Sequence, residues 1–91
     1  MEREIVLEKR QVVAREDLTL AYTLSKRMET NGLVLYSLLI EENDHNEREF
    51  VFLDALTDDK DKAIELFHLF VNESVTPCTA EEILHEVFYA P

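Results

Sequence analysis

Glycine and cysteine are almost absent from this chain of 91 residues, and each scarcity excludes a class of site. The single glycine, Gly32, cannot supply the glycine-rich loop with which many proteins bind phosphates. The single cysteine, Cys78, excludes an intramolecular disulfide. No apolar run approaches the roughly 20 residues of a membrane-spanning helix, and the first residues lack the pattern of a signal peptide. We therefore expect a cytoplasmic protein without a membrane segment.

Basic residues are scarce in the second part of the chain. Residues 1–31 hold six acids and six bases, whereas residues 32–91 hold fourteen acids and three bases, so the net charge of −11 arises in the second range. Such a surface repels phosphate groups, which argues against direct binding of nucleic acid or an anionic membrane. Solubility is the simplest explanation of the charge. The alternative is an acidic regulator that mimics nucleic acid and occupies a basic site on a partner protein.

Residues 18–40 have the pattern of a β-hairpin. Apolar and polar residues alternate over Leu18–Met28, and a largely apolar segment follows over Leu33–Ile40. A two-residue loop at Asn31-Gly32 would scatter polar side chains over both faces, whereas a three-residue loop at Thr30-Asn31-Gly32 makes one face continuously apolar. We predict the three-residue loop. The resulting core face consists of Leu18, Leu20, Tyr22, Leu24, Val34, Tyr36, Leu38 and Ile40.

The segments on either side of this hairpin are also predicted strands. Residues 4–15 are rich in β-branched side chains, which favours a strand, although imperfect alternation leaves a short helix as the alternative. Residues 41–47 are polar and predict a loop, and residues 49–56 predict a fourth strand that is apolar on both sides.

Two helices are predicted after the strands. The first begins near Thr57-Asp58-Asp59 and ends by residue 73, because the residue before Pro77 avoids helical angles. The second opens with a Thr-x-x-Glu capping box at Thr79, with Cys78 as a hydrophobic staple. The apolar stripes are Ala63, Ile64, Leu66, Phe67, Phe70 and Val71 in the first helix, and Ile83, Leu84, Val87 and Phe88 in the second.

These elements predict an α+β fold, a three- to four-stranded antiparallel meander followed by two helices packed on one sheet face. With 46% hydrophobic and 32% charged residues, we expect one folded domain over residues 1–91. Two short helices on one face leave the other uncovered. That second face, around Leu33, Leu35 and Leu39, is the predicted partner surface, and a homodimer is the leading hypothesis.

The strand pair from Leu33, the helix start at Thr57-Asp58-Asp59-Lys60, the break at Val75-Thr76-Pro77 and the capped last helix together form a recognisable pattern. In these features, over Leu33–Phe88, the chain resembles a family of small uncharacterised proteins, a domain of unknown function, from anaerobic Gram-positive bacteria. The resemblance covers about two-thirds of the chain and leaves out residues 1–31. It implies a bacterial, cytoplasmic protein and brings no catalytic residues.

Few residues have the spacing of a chemical site. Glu65 and His68, like Glu82 and His85, have the Glu-x-x-His spacing of di-iron proteins, but they lie opposite the apolar stripes. Cys78 precedes a helix N-terminus, which lowers a thiol pKa, although no histidine is tied to it.

The three acids Asp58, Asp59 and Asp61 lack the glycine of a calcium loop and predict a helix start instead. We therefore predict no catalytic, cofactor-binding or metal-binding residues and no enzyme activity. Metal binding by the two Glu-x-x-His pairs is left open.

Four basic residues, Lys9, Arg10, Lys26 and Arg27, would lie close together on a first hairpin. They would then contact the acidic part of the same chain or of a second copy. Solvated strand edges are the simpler interpretation.

Overall fold

A four-stranded antiparallel sheet with two helices on one side forms the part of the chain described by the computed structural model, residues 5–14, 17–45 and 47–88. The predicted α+β fold is thus confirmed, with a strand rather than a helix near the N-terminus. In chain order, the strands lie side by side as β1 (Ile5–Ala14), β2 (Leu18–Met28), β3 (Val34–Asp44) and β4 (Arg48–Thr57), followed by α1 (Lys60–Asn72) and α2 (Pro77–Phe88).

The connection between β2 and β3 is the predicted three-residue loop. The Glu29 N–H donates to the Leu33 carbonyl at 2.7 Å, and the Gly32 N–H donates to the Glu29 carbonyl at 3.0 Å. Gly32 has a φ of 86°, where a Cβ would be strained. The loop sets the predicted register, in which Tyr22 pairs with Ile40.

The loop predicted over residues 41–47 is wrong in its first half, because β3 continues to Asp44. Glu41 pairs with Ala21, since the backbone groups at the start of β2 need partners whatever side chains face them. The turn begins only where the Asp44 N–H donates to the Glu47 carbonyl at 2.9 Å.

Two irregularities interrupt the strand pairing. Glu8 is the extra residue of a bulge in β1, and its carboxylate lies 3.4 Å from Lys26 Nζ and 3.2 Å from Lys60 Nζ. It therefore ties β1 to both β2 and the start of α1. In β4, residues 54–56 lie opposite the single residue Ser37.

Helix α1 begins with the acidic cap that the sequence predicts. The Asp59 side chain accepts hydrogen bonds from the Asp61 and Lys62 N–H groups at 2.9 and 3.3 Å. These bonds satisfy two of the amides that a helix N-terminus leaves without partners. The acids at residues 58–61 thus form a helix start.

Helix α1 ends in a Schellman motif. The Ser74 N–H donates to the Val71 carbonyl at 3.2 Å, and the Val75 N–H donates to the Phe70 carbonyl at 3.0 Å. Ser74 has a φ of 50°, so the chain has left the helical conformation three residues before Pro77. The predicted cause of the helix end is therefore wrong.

Proline instead begins α2, because Pro77 is the first helical residue, where its missing N–H costs nothing. The predicted capping box is therefore wrong, since Thr79 lies inside the helix and its N–H donates to the Thr76 carbonyl at 3.1 Å. Cys78 is an exposed second residue of the helix and does not act as a staple.

The core lies between the sheet and the helices. The predicted α1 stripe is confirmed, with Ile64 half-buried and the rest buried. In α2, Ile83 and Leu84 pack against the core, whereas the side chains of Val87 and Phe88 lie outside the described part. The buried residues of the core are Leu20, Tyr22, Leu24, Tyr36, Leu38, Ile40, Leu53, Ala63, Leu66, Phe67, Phe70, Val71, Val75 and Ala80.

Candidate functional site

The candidate site is the side of the sheet that faces away from the helices. Tyr22 and Leu38 are fully buried beneath the helices, so their odd-numbered neighbours project to the other side. We call this side the open face. It carries Leu7, Arg10, Val12 and Ala14 of β1; Thr19, Ala21, Thr23, Ser25 and Arg27 of β2; Leu35, Ser37, Leu39, Glu41 and Asn43 of β3; and Arg48, Phe50, Phe52 and Asp54 of β4.

Large apolar side chains are exposed on the open face. Phe50 is 72% exposed and Phe52 46% exposed. Phe52 pairs with Leu39, so the phenylalanines continue the apolar surface of β3 onto β4. Leu7 and Val12 are exposed at the opposite edge, on β1.

The three residues of the predicted partner surface differ in position. Leu39 lies on the open face beside Phe52, and Leu35 lies on it beside Arg27, both half-buried. Leu33 is exposed but precedes β3. The sequence predicts only a fourth strand that is apolar on both sides, and the structure shows that two of its residues, Phe50 and Phe52, are the most exposed part of the open face on the β4 side.

A polar network occupies the end of the open face near the Gly32 loop. The Ser37 hydroxyl donates to Asp54 Oδ1 at 2.9 Å and accepts from the Ala55 N–H at 3.1 Å. Arg27 Nη1 lies 2.7 Å from the same Asp54 oxygen, and Arg27 Nε lies 3.2 Å from Glu29. This network anchors the irregular segment of β4.

The hydrogen bonds of this network also favour the charged forms of Asp54 and Arg27. Partial burial acts to raise the pKa of Asp54, but the hydrogen bonds from Ser37 and Arg27 outweigh it and hold that pKa below its ordinary value. Hydrogen bonds to Asp54 and Glu29 raise the pKa of Arg27. The ion pair is therefore intact at neutral pH.

The four basic residues that the sequence places together are divided between two sides of the sheet. Lys26 contacts Glu8 on the helix side, whereas Arg27 contacts Asp54, an acid of the second part of the chain, on the open face. Lys9 pairs with Leu24, and the exposed Arg10 lies on the open face. Of the four residues, Arg27 therefore makes the predicted contact with the acidic part of the same chain.

Charge differs between the two sides of the molecule. Residues 58–88, which include both helices, hold eight acids and two lysines, a net charge of −6. The open face is close to neutral among the described residues. Its arginines are Arg10, Arg27 and Arg48, and the acids on or beside it are Glu29, Glu41 and Asp54.

Cys78 lies at an open cleft of about 440 Å³ between β4 and α2. Its thiol is 3.4 Å from Glu49 Oε2, and this hydrogen bond, with the carboxylate charge, raises the pKa of the thiol. A thiol held in its protonated form is a poor nucleophile. The hypothesis of a reactive Cys78 loses its physical basis.

The two Glu-x-x-His pairs lie on exposed helix surfaces. Glu65, His68, Glu82 and His85 are all exposed. Within the described ranges, no three histidine, cysteine or carboxylate side chains come together as metal ligands.

Fold and open face together define a two-layer α+β protein with one sheet face that none of the described elements covers. The chain belongs to a family of unknown function, DUF6514, whose match covers residues 1–89. This confirms membership of an uncharacterised family and extends the match to the first 31 residues. No curated protein and no solved structure matches the chain. Over the described residues, no helix is long and apolar enough to cross a membrane.

Proposed function

We propose that this chain is a non-catalytic interaction module that forms a homodimer through its open face. The observation that carries the proposal is the exposure of Phe50 and Phe52 on a sheet face that no described element covers. Aromatic side chains are enriched at the centres of protein interfaces, because a ring buries much apolar surface with few rotatable bonds.

The size of the open face suits a dimer. Strands spaced ~4.8 Å apart, each about ten residues long, give a four-stranded sheet a face of roughly 600 Å². Two such faces bury roughly 1,200 Å² in total, the lower bound of stable interfaces.

Charge favours a second copy as the occupant of this face. A net charge of −11 makes most surfaces of two copies repel each other. Because the open face is close to neutral, two copies can meet there without that repulsion. A strongly basic partner would gain more by binding the acidic helical side.

The mass of the full chain in solution tests this proposal. We expect sedimentation equilibrium at micromolar concentrations to give a dimer, and the F50E variant to sediment as a monomer. Phe50 is better suited to this test than half-buried Leu35 or Leu39, because its substitution removes little folding free energy.

M28E is the matched control. Met28 is 61% exposed, but it pairs with Val34 on the helix side of the sheet. It receives the same new charge without touching the open face, so its dimer should persist. A strictly monomeric wild type, or an F50E dimer as tight as that of M28E, would refute the proposal.

We also propose that residues 1–91 form one domain. The protein would be located in the cytoplasm of anaerobic Gram-positive bacteria. The basis of this proposal is the composition, the lack of an apolar spanning run and the family resemblance of the sequence.

The second candidate function is an acidic regulator that occupies a basic site on another protein. It is favoured by the net charge of −6 over residues 58–88. A partner recovered from native cells should then be released by salt, and recovered less by the variant D61N/E65Q, since both acids are exposed on α1. Unchanged recovery by that variant would exclude the acidic helix as the binding surface.

A further inference from the structure

Side-chain size varies across the open face in a way that can match a second copy. The open-face residues of β2 are all small apart from Arg27, whereas Phe50 and Phe52 form a ridge along β4. A trough therefore runs beside β3, with Val12 and Arg10 on its far side. The small residues of the trough are Thr19, Ala21, Thr23 and Ser25.

We infer that two copies pack their open faces together about a two-fold axis. The axis lies in the interface, runs parallel to the strands and passes over the boundary between β2 and β3. This inference rests on the proposed dimer and specifies its geometry. Such an axis exchanges β1 with β4 and β2 with β3 between the copies, as in two sheets packed face to face ~10 Å apart.

The strand register gives the contacts. Arg10, Thr23, Leu39 and Phe52 lie in one row across the sheet, and Val12, Ala21, Glu41 and Phe50 lie in the next. Under the two-fold axis, Leu39 lies over the partner's Thr23, Phe50 lies over the partner's Val12, and Phe52 lies over the partner's Arg10. Each of these three bulky side chains then lies over a smaller side chain or, for Phe52, over the extended side chain of an arginine.

Charge supports the same axis. Glu41 pairs with Phe50 on the neighbouring strand, and Phe52 lies two residues from Phe50. The Cα atoms of Glu41 and Phe52 are therefore roughly 8 Å apart. The partner's Arg10, which lies above Phe52, is within reach of Glu41. The symmetry forms this opposite-charge contact twice. It also places a guanidinium over an aromatic ring, a favourable cation–π arrangement.

Two other axes fit the face less well. An axis perpendicular to the strands sets the β4 ridge on the partner's ridge and the trough on the partner's trough, which leaves an unfilled gap. An axis along β3 brings Glu41 against the partner's Glu41, where like charges repel.

Charge exchange tests the predicted contact. We expect R10E and E41R each to weaken the dimer about tenfold, as measured by its dissociation constant, and R10E/E41R to restore it to within about threefold of the wild type. The control is R10E/E42R, which has the same net charge. Glu42 is adjacent in sequence but lies on the helix side of the sheet, so it should restore nothing.

Cross-linking gives a second readout in a Cys78→Ser background. A short bis-maleimide should join V12C to F50C when the two variants are mixed, and should not join F50C to itself. If R10E/E41R dimerises no better than R10E/E42R, or F50C joins itself, the axis is wrong while the dimer stands. A monomeric wild type refutes both.

Discussion

The buried Tyr22 hydroxyl donates a hydrogen bond of 2.8 Å to the backbone carbonyl of Val75. Tyr22 lies in the middle of β2, and Val75 lies in the connection between α1 and α2. Because the N–H of Val75 closes the Schellman motif, both polar groups of this residue are satisfied. The contact therefore fixes the connection, and with it both helices, over the sheet.

Tyr22→Phe should destabilise the protein by about 1–2 kcal/mol, because it leaves the Val75 carbonyl buried without this donor while keeping the ring in the core. Urea unfolding followed by circular dichroism measures the change. A loss below about 0.5 kcal/mol would contradict the assigned role of the hydrogen bond.

The order of the elements was predictable, because apolar periodicity and the Gly32 loop each act over a few residues. The Tyr22–Val75 contact was not, because it joins residues 53 apart whose pairing depends on where the helices lie. The start of α2 was predicted wrongly, because Thr79 and Pro77 both carry start signals and the sequence alone does not rank them.

Ser37→Ala should destabilise the protein by about 1–3 kcal/mol, because it removes an acceptor from the Ala55 N–H and a donor from Asp54 at a site that is 4% exposed. Ser25→Ala is the matched control, since Ser25 lies directly opposite on β2 and on the same face. Urea unfolding should separate the two variants clearly, and equal losses would mean that the Ser37 hydroxyl does not anchor β4.

Ala55→Gly should stabilise the protein by roughly 0.5–1 kcal/mol, because Ala55 has a φ of 52° and glycine adopts that conformation without strain. Ala14→Gly is the control, because Ala14 is an exposed strand residue without a positive φ, where glycine costs roughly 0.5–1 kcal/mol. The two unfolding free energies should therefore change in opposite directions. A shared sign would show that Ala55 is not strained.

The candidate site was predicted in outline and not in detail. Alternation assigned Leu35 and Leu39 to the second face, because strand parity is local. The half-burial of Leu35 beside Arg27 was not predictable, because Arg27 is held there by Asp54, 27 residues away. Phe50 is more exposed than Leu35 or Leu39, because β4 is an edge strand whereas β3 has a neighbour on each side. Only the complete sheet order reveals this difference.

Glu8 should make the stability of the protein depend on pH. Hydrogen bonds that its carboxylate accepts from Lys60 and Lys26, opposed by partial burial, lower the pKa of this group in the folded state. A lowered folded pKa means that the contribution is complete above the unfolded value of about 4.3 and is lost as the pH falls through the folded value. The stability difference between the wild type and Glu8→Gln should therefore be constant near neutral pH and shrink in acid.

Lys60→Met tests the same contact from the other side, because Lys60 contributes most to lowering the Glu8 pKa. Its stability difference from the wild type should shrink over the same acidic range. Lys62→Met is the control, since Lys62 is an exposed lysine of the same helical turn, two residues further on. Urea unfolding at a series of pH values measures all four proteins. If the Glu8→Gln difference is unchanged in acid, or Lys62→Met behaves like Lys60→Met, the carboxylate does not couple β1 to α1.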